Sequence, residues 1–120
     1  ENFNILSGDD EMTVPILCLG GTGVISVAAN IAPELTCDMV WSTLPGERHN
    51  FSHALSLNRK LCPIFRGLFV ESNPIPIKEA MHLKYDSSPH LRLPLSRISD
   101  DNRQQLLGLL GDLAELEHTI

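Results

Sequence analysis

The sequence lacks the basic clusters that nucleic-acid-binding proteins require and the long apolar runs that membrane proteins require. Its 120 residues carry fifteen acidic and nine basic side chains, with a formal net charge of −6 and no cluster of five or more Lys and Arg. Because nucleic-acid binding relies on such clusters to contact phosphates, we expect no nucleic-acid partner. No apolar run approaches the roughly 18 residues that a membrane span requires, so we expect no membrane partner either.

Cysteine is also scarce, with only Cys18, Cys37 and Cys62. Their odd number and wide spacing argue against a disulfide framework or a CxxC metal site, and are typical of a reducing compartment. We therefore predict buried, inert thiols and no metal or other cofactor. The sequence shows no charged and apolar secretory leader, so we expect a cytoplasmic location, or a plastid one if the source is a plant or alga.

What is present is the composition of a folded domain. The chain is 42% apolar and 20% charged, close to the average of globular proteins. Its length alone indicates one domain. The chain begins at Glu1 rather than at a methionine, which leads us to expect that residues precede it.

The hydrophobic pattern predicts two strand–helix units followed by helices only. Phe3–Leu6 alternates and stops at a turn-rich cluster, as a strand does. Gly23–Val27 is apolar and β-branched, the composition of a strand buried on both faces. Because a parallel pair of this kind needs neighbouring strands, we interpret the N-terminal third as an incomplete α/β structure.

Capping and proline signals set the predicted helices. The first starts near Thr13 and ends at a tight turn formed by Gly20 and Gly21. Pro33 suits the first turn of the second helix. Further helices are predicted from Phe51, from Ile77 to Leu83, and after the cap Ser99, the last with an apolar side that includes Leu106, Leu107, Leu109, Leu110 and Leu113.

Few side chains are candidates for chemistry. The pair Asp9–Asp10 follows a predicted strand, where α/β folds bind ligands, although helix capping is the favoured alternative. In a nucleotide-binding loop the glycines follow a strand and open a helix. Gly20–Gly23 instead comes before an apolar run, so we do not interpret it as such a loop.

The remaining candidates favour structural roles. His49 and His53 have zinc-site spacing without the Glu of such motifs, so a solvated junction is favoured. We expect Lys60 and Lys84 to be solvated and Lys78 to form an ion pair. The sequence therefore offers no convincing nucleophile.

Four segments together resemble a known family. They are Leu6–Asp10, Gly23–Val27 with Ala29-Asn30, Phe69–Glu71 with Asn73–Lys78, and Leu91–Leu95. In this order and spacing they resemble the C-terminal portion of the dihydrodipicolinate (4-hydroxy-tetrahydrodipicolinate) synthases, pyruvate-dependent class I aldolases. The N-acetylneuraminate lyases share the fold, but Leu-Ser-Gly-Asp-Asp and Asn-Pro-Ile-Pro favour the synthases.

The resemblance implies a (β/α)₈ barrel, a fold of about 250 residues. Residues 1–46 would form its last two βα units and residues 47–120 a C-terminal helical domain. The family condenses pyruvate with L-aspartate-4-semialdehyde through a Schiff-base lysine, in lysine and diaminopimelate biosynthesis. That lysine would lie before residue 1, so this chain alone would be inactive. The resemblance also implies a homo-oligomer, a tetramer.

The resemblance assigns substrate-binding positions and no catalytic residue to this chain. Gly8 and Asp9 match positions that recognise the semialdehyde, and Asn73 joins them from the helical domain. Ile25 matches a position whose backbone carbonyl faces the Schiff base, a role that needs geometry rather than a particular side chain.

Two alternatives remain at this point. The first alternative is a related pyruvate-dependent aldolase or lyase that uses another aldehyde. The second is a non-catalytic helical assembly module. The second is motivated by the density of leucine between Leu106 and Leu116. Packing within the helical domain or a subunit contact of the full enzyme also explains those leucines, and is the interpretation we favour.

Overall fold

The computed structural model describes residues 3–119, so Glu1 lies outside it. Its elements are β1 (Leu6–Ser7), α1 (Thr13–Cys18), β2 (Gly23–Val24), a 3-10 turn (Ala28–Asn30), α2 (Pro33–Thr43), α3 (Phe51–Gly67), α4 (Ile75–Tyr85) and α5 (Asp100–Glu117). The described residues form two compact units, which meet in sequence between Cys62 and Pro63. The proposed domain boundary at residues 46 and 47 falls in the loop between α2 and α3 and stays a prediction.

The two strands form a parallel pair. Leu6 lies opposite Gly23 and Ser7 opposite Val24. The predicted strands Phe3–Leu6 and Gly23–Val27 are therefore too long, and burial on both faces is wrong, because Ile25 is 69% exposed. The described residues contain only these two strands, so no further strand covers their apolar side chains.

The second strand ends early because side chains bind the next backbone N–H groups. The N–H groups of Val27 and Ala28 donate to Asp10 Oδ2, and that of Ala29 donates to Ser26 Oγ. These bonds hold the backbone in a turn, which overrides the strand preference of a β-branched sequence.

The turn between α1 and β2 is confirmed as a tight glycine turn. Gly20 has a φ of 101°, a conformation that favours glycine. The N–H of Gly21 donates to the Ile16 carbonyl at 2.9 Å. The apolar core of this unit comes from α1, the 3-10 turn, α2 and α3, and includes Val14, Leu17, Ala28, Ile31, Leu35, Met39, Leu57 and Leu61.

Proline and capping signals predict helix starts in both units. Pro33 begins α2 and Phe51 begins α3, as predicted, with Pro63 inside α3. Ser99 caps α5, and its Oγ accepts the Asn102 N–H at 3.4 Å.

In the second unit α4 packs against α5. The predicted α4 was too short: it begins at Ile75 rather than Ile77 because Pro76 is tolerated in the first turn, where N–H groups have no helical partner. On α5 only Leu106 and Leu113 are buried, so the apolar side is narrower than predicted. Leu107 is 38% exposed.

Several predictions about single side chains are wrong. Cys18 and Cys37 are exposed rather than buried. Lys84 lies 2.6 Å from Glu117 Oε1 instead of being only solvated, whereas Lys60 is exposed as expected. Among residues 3–119, Lys78 forms no ion pair. None of the helices in this part of the chain is long and apolar enough to cross a membrane.

Candidate functional site

The candidate site lies where β1 and β2 end at a common edge. Because the strands are parallel and Ser7 pairs with Val24, the residues that follow, Gly8 and Ile25, lie next to one another. The N–H of Ile25 donates to the Ser7 carbonyl at 2.8 Å, which extends the pairing by one step. In α/β folds this end of the strands is where ligands bind.

Asp9 is held by a compact hydrogen-bonded loop. Ser7 Oγ donates to the Asp9 carbonyl at 2.7 Å and accepts the Asp9 N–H at 3.2 Å. Asp9 Oδ1 accepts the N–H groups of Glu11 and Met12 at 2.8 and 3.4 Å. Both N–H groups precede α1, which begins at Thr13 and has no side-chain cap, so the helix-capping alternative is wrong for Asp9. The Asp9 side chain is exposed, and no described residue donates a hydrogen bond to its other oxygen, Oδ2.

Asp10 behaves differently from its neighbour. It is buried, and its Oδ2 accepts the N–H groups of Val27 and Ala28, both at 3.0 Å. Its Oδ1 is also buried and has no hydrogen-bond partner among residues 3–119. The prediction that this residue caps α1 is wrong. Sequence reasoning missed its contact with the second strand's turn, because nothing in the local pattern separates Asp10 from Asp9.

Gly8 and Ile25 leave space and an acceptor at the edge. No atom lies within 4 Å of the position that a Cβ on Gly8 would occupy. The Ile25 carbonyl oxygen accepts no hydrogen bond from any residue in the described range 3–119. A backbone acceptor at this place can orient a hydroxyl group or a water molecule.

Asn73 belongs to the second unit. It is exposed and lies just before α4, in a cis peptide bond with Pro74. Two residues earlier, Glu71 Oε1 accepts the Asn102 amide at 2.8 Å and the Ser99 N–H and hydroxyl at 2.9 Å each. The hydrogen bond from Asn102, followed by that from the Ser99 backbone, lowers the pKa of Glu71 below its ordinary value. The charged carboxylate therefore anchors the segment that leads to Asn73.

The histidine pair does not form a metal site in the described residues. His53 Nε2 lies 2.7 Å from Asp38 Oδ2, so His53 has a partner and is not merely solvated. No group of three or more His, Cys, Asp and Glu side chains within residues 3–119 is arranged to hold a metal ion. The His53–Asp38 contact connects α2 to α3, which is a structural role.

Comparisons with known proteins agree on one family. Residues 1–112 match the model of the dihydrodipicolinate synthetase family. Over 113 residues the chain is 50% identical to the 4-hydroxy-tetrahydrodipicolinate synthase of Haloarcula marismortui, which covers 94% of this chain. The chain is also 44% identical to the 4-hydroxy-tetrahydrodipicolinate synthase of Methanothrix thermoacetophila, a match that covers 97% of this chain.

Solved structures give the same result for the fold. The dihydrodipicolinate synthase of Aquifex aeolicus matches 95% of this chain with a TM-score of 0.88 and 35% identity, and this chain covers 38% of it. The enzyme of Thermotoga maritima matches 92% with a TM-score of 0.86 and 37% identity, and is covered to 36%. These relatives are (β/α)₈ barrels, so the expected fold class is confirmed.

The match covers most of this chain but a minor part of each relative. The chain spans 36% of the length of the Haloarcula marismortui enzyme and 38% of that of Methanothrix thermoacetophila. The family model covers nearly all of the present sequence, including the strand-end loop and the helices up to the middle of α5. The chain belongs to the dihydrodipicolinate synthetase family.

Proposed function

We propose that the protein to which this chain belongs is a lyase that condenses pyruvate with L-aspartate-4-semialdehyde to give 4-hydroxy-tetrahydrodipicolinate, a step of lysine and diaminopimelate biosynthesis. The observation that carries the proposal is the 50% identity with a named synthase over 113 residues. The edge formed by Gly8 and Ile25 supports the proposal, because it is an open strand end whose Ile25 carbonyl is bound by no described residue.

The proposed chemistry begins at a lysine outside these 120 residues. Its amine condenses with the pyruvate carbonyl to an imine and releases water. Loss of a methyl proton gives the enamine, whose carbon forms a bond to the aldehyde carbon while the aldehyde oxygen takes up a proton. The substrate amine then attacks the imine carbon, closes the ring and releases the lysine.

In this proposal the present chain recognises the aldehyde and orients groups around the reacting carbon. Gly8 leaves room for the substrate, and Asp9 offers an exposed carboxylate for its polar groups. The Ile25 carbonyl accepts a hydrogen bond from a hydroxyl group or water near the imine. Asn73 contributes from the start of α4. We also propose a cytoplasmic homotetramer.

The test uses the intact gene product and pyruvate. Treatment with borohydride should reduce the imine and leave one stable adduct per chain, and peptide mapping should locate it outside residues 1–120. The chain's own lysines, Lys60, Lys78 and Lys84, are internal controls. An adduct on any of the three, or no adduct at all, contradicts the proposal.

A second measurement separates the proposed substrate from related ones. The intact protein is assayed with pyruvate and a panel of aldehydes. We expect the highest kcat/KM with L-aspartate-4-semialdehyde. Trapping of pyruvate together with a preference for another aldehyde would instead favour the related-aldolase alternative.

A further inference from the structure

Among the described residues, Asp10 is the one buried carboxylate at the strand-end edge, and none of the proposed steps uses it. It lies directly after Asp9 in sequence, yet its hydrogen bonds reach residues 17 and 18 positions away. Both bonds are 3.0 Å long and come from backbone N–H groups, which any residue except proline would provide at positions 27 and 28. The carboxylate therefore fixes the path of the backbone rather than a particular side chain.

The two bonds act on the segment that contains the Ile25 carbonyl. On one side of Ile25, its own N–H is bound to the Ser7 carbonyl at 2.8 Å. On the other side, two residues later, the Val27 N–H is bound to Asp10 Oδ2. The Ile25 peptide is thus held at both ends by residues of the loop that begins at Ser7.

The same loop carries the residues that we assign to aldehyde recognition. Ser7 binds Asp9 through two hydrogen bonds, and Asp10 follows Asp9 without an intervening residue. A hydrogen bond to a buried acceptor is stronger than one exposed to water, so these two bonds hold the turn tightly.

We propose that Asp10 is a positioning residue that sets the Ile25 carbonyl relative to Gly8 and Asp9, and so fixes where the acceptor aldehyde sits. The proposal rests on the proposed function. It assigns Asp10 no contact with substrate, since the carboxylate is buried. Its removal should weaken aldehyde binding and leave formation of the pyruvate imine intact, because the amine that forms the imine belongs to a lysine outside these 120 residues.

The test compares three variants of the intact protein. Asp10→Ala removes both bonds, Asp10→Asn keeps an acceptor oxygen of the same shape, and Thr43→Val is the matched control. Thr43 is also buried in the first unit and donates one hydrogen bond, to the Met39 carbonyl at 2.8 Å.

For Asp10→Ala we expect the KM for the semialdehyde to rise about 10- to 100-fold, the range that a small misplacement causes. The KM for pyruvate and the yield of borohydride adduct should stay as in the wild type. Asp10→Asn should restore most of the aldehyde affinity, and Thr43→Val should change neither KM. If Asp10→Ala does not fold, Asp10→Glu replaces it, since it keeps the charge but displaces the oxygen.

Hydrogen–deuterium exchange gives an independent readout. The amides of Val27 and Ala28 should exchange faster in Asp10→Ala, and at the wild-type rate in Asp10→Asn and Thr43→Val. Unchanged exchange, or equal rises of both KM values, overturns the positioning role. If the wild type does not condense the semialdehyde, the proposed function fails, and the exchange rates alone then decide whether Asp10 holds this turn.

Discussion

The two units of the chain use polar side chains differently. In residues 3–119, six of the seven buried polar or charged residues belong to the first unit; they are Ser7, Asp10, Thr13, Thr36, Ser42 and Thr43. The second unit has only Glu79, which pairs with Arg103 at 2.7 Å. Another ion pair of this unit, Lys84–Glu117, is partly exposed to solvent.

Three of the six, Ser7, Asp10 and Thr13, lie in or next to the loop that forms the proposed site. Buried polar groups must find hydrogen-bond partners, so they fix a backbone in one arrangement more strictly than apolar packing does. The loop after β1 and the turn after β2 need such a fixed arrangement if they bind an aldehyde. The second unit, in which α4 packs against α5, depends mainly on apolar burial for its stability.

The largest expected effect tests the apolar core of the second unit. Leu106→Ala removes a side chain that is only 1% exposed, and should lower the free energy of unfolding by about 2–5 kcal/mol because it leaves a cavity. The neighbouring Leu107→Ala is the control and should cost under about 1 kcal/mol, because that side chain is partly exposed. Urea unfolding followed by circular dichroism measures both. Equal losses would show that α5 does not bury one face as described.

A second prediction tests how strictly the first unit fixes its backbone. A Cβ on Gly21 would lie 2.7 Å from Ile16 Cγ2 and 2.8 Å from the Ile16 carbonyl oxygen. Gly21→Ala should therefore lower the free energy of unfolding by about 1–3 kcal/mol, as overpacking does. Gly8→Ala, which meets no atom within 4 Å, should change stability by under about 0.5 kcal/mol.

The same unfolding measurement applies to both glycine variants. A tolerated Gly21→Ala would mean that the turn between α1 and β2 is adaptable, which would weaken the contrast between the units. Because Gly8→Ala should be stable, any loss of aldehyde affinity in that variant would report on the site itself.

Local signals made much of this fold predictable. The cap at Ser99, the proline that opens α2 and the glycine turn at Gly20 each act within a few residues, and each prediction is confirmed. The extent of β2 was not predictable from composition, because the side chain that ends the strand comes from Asp10, 17 residues earlier.

The candidate site, like the fold, could be predicted from the sequence only in part. The assignment of Gly8 and Ile25 comes from the family resemblance, because the hydrophobic pattern alone places Ile25 inside the predicted strand Gly23–Val27. The different fates of Asp9 and Asp10 could not be predicted, because both are the same residue type in one turn, and only the packed structure determines which carboxylate is buried. The roles of Gly8, Asp9, Ile25 and Asn73 in binding stay predictions.

The smallest expected effect concerns the surface polar groups of the second unit. Three hydrogen bonds to Glu71 Oε1 favour its charged form and lower its pKa below the ordinary 4.5. A carboxylate whose pKa is lower in the folded state stabilises the fold above its unfolded pKa, and this contribution is lost as the pH falls through the lower, folded value. Acidification should therefore destabilise the wild type more than Glu71→Gln, which keeps an acceptor but cannot titrate.

The free energies of unfolding of the wild type and of Glu71→Gln should differ by under about 1 kcal/mol near neutral pH, because these hydrogen bonds are largely exposed to solvent. Thermal unfolding at a series of pH values between neutrality and pH 3 measures the difference. It should be constant above about pH 5 and shrink below it. A difference that grows on acidification would mean that the bonds favour the protonated form. A difference as large as that of Leu106→Ala would mean that polar contacts, rather than apolar burial, stabilise the second unit.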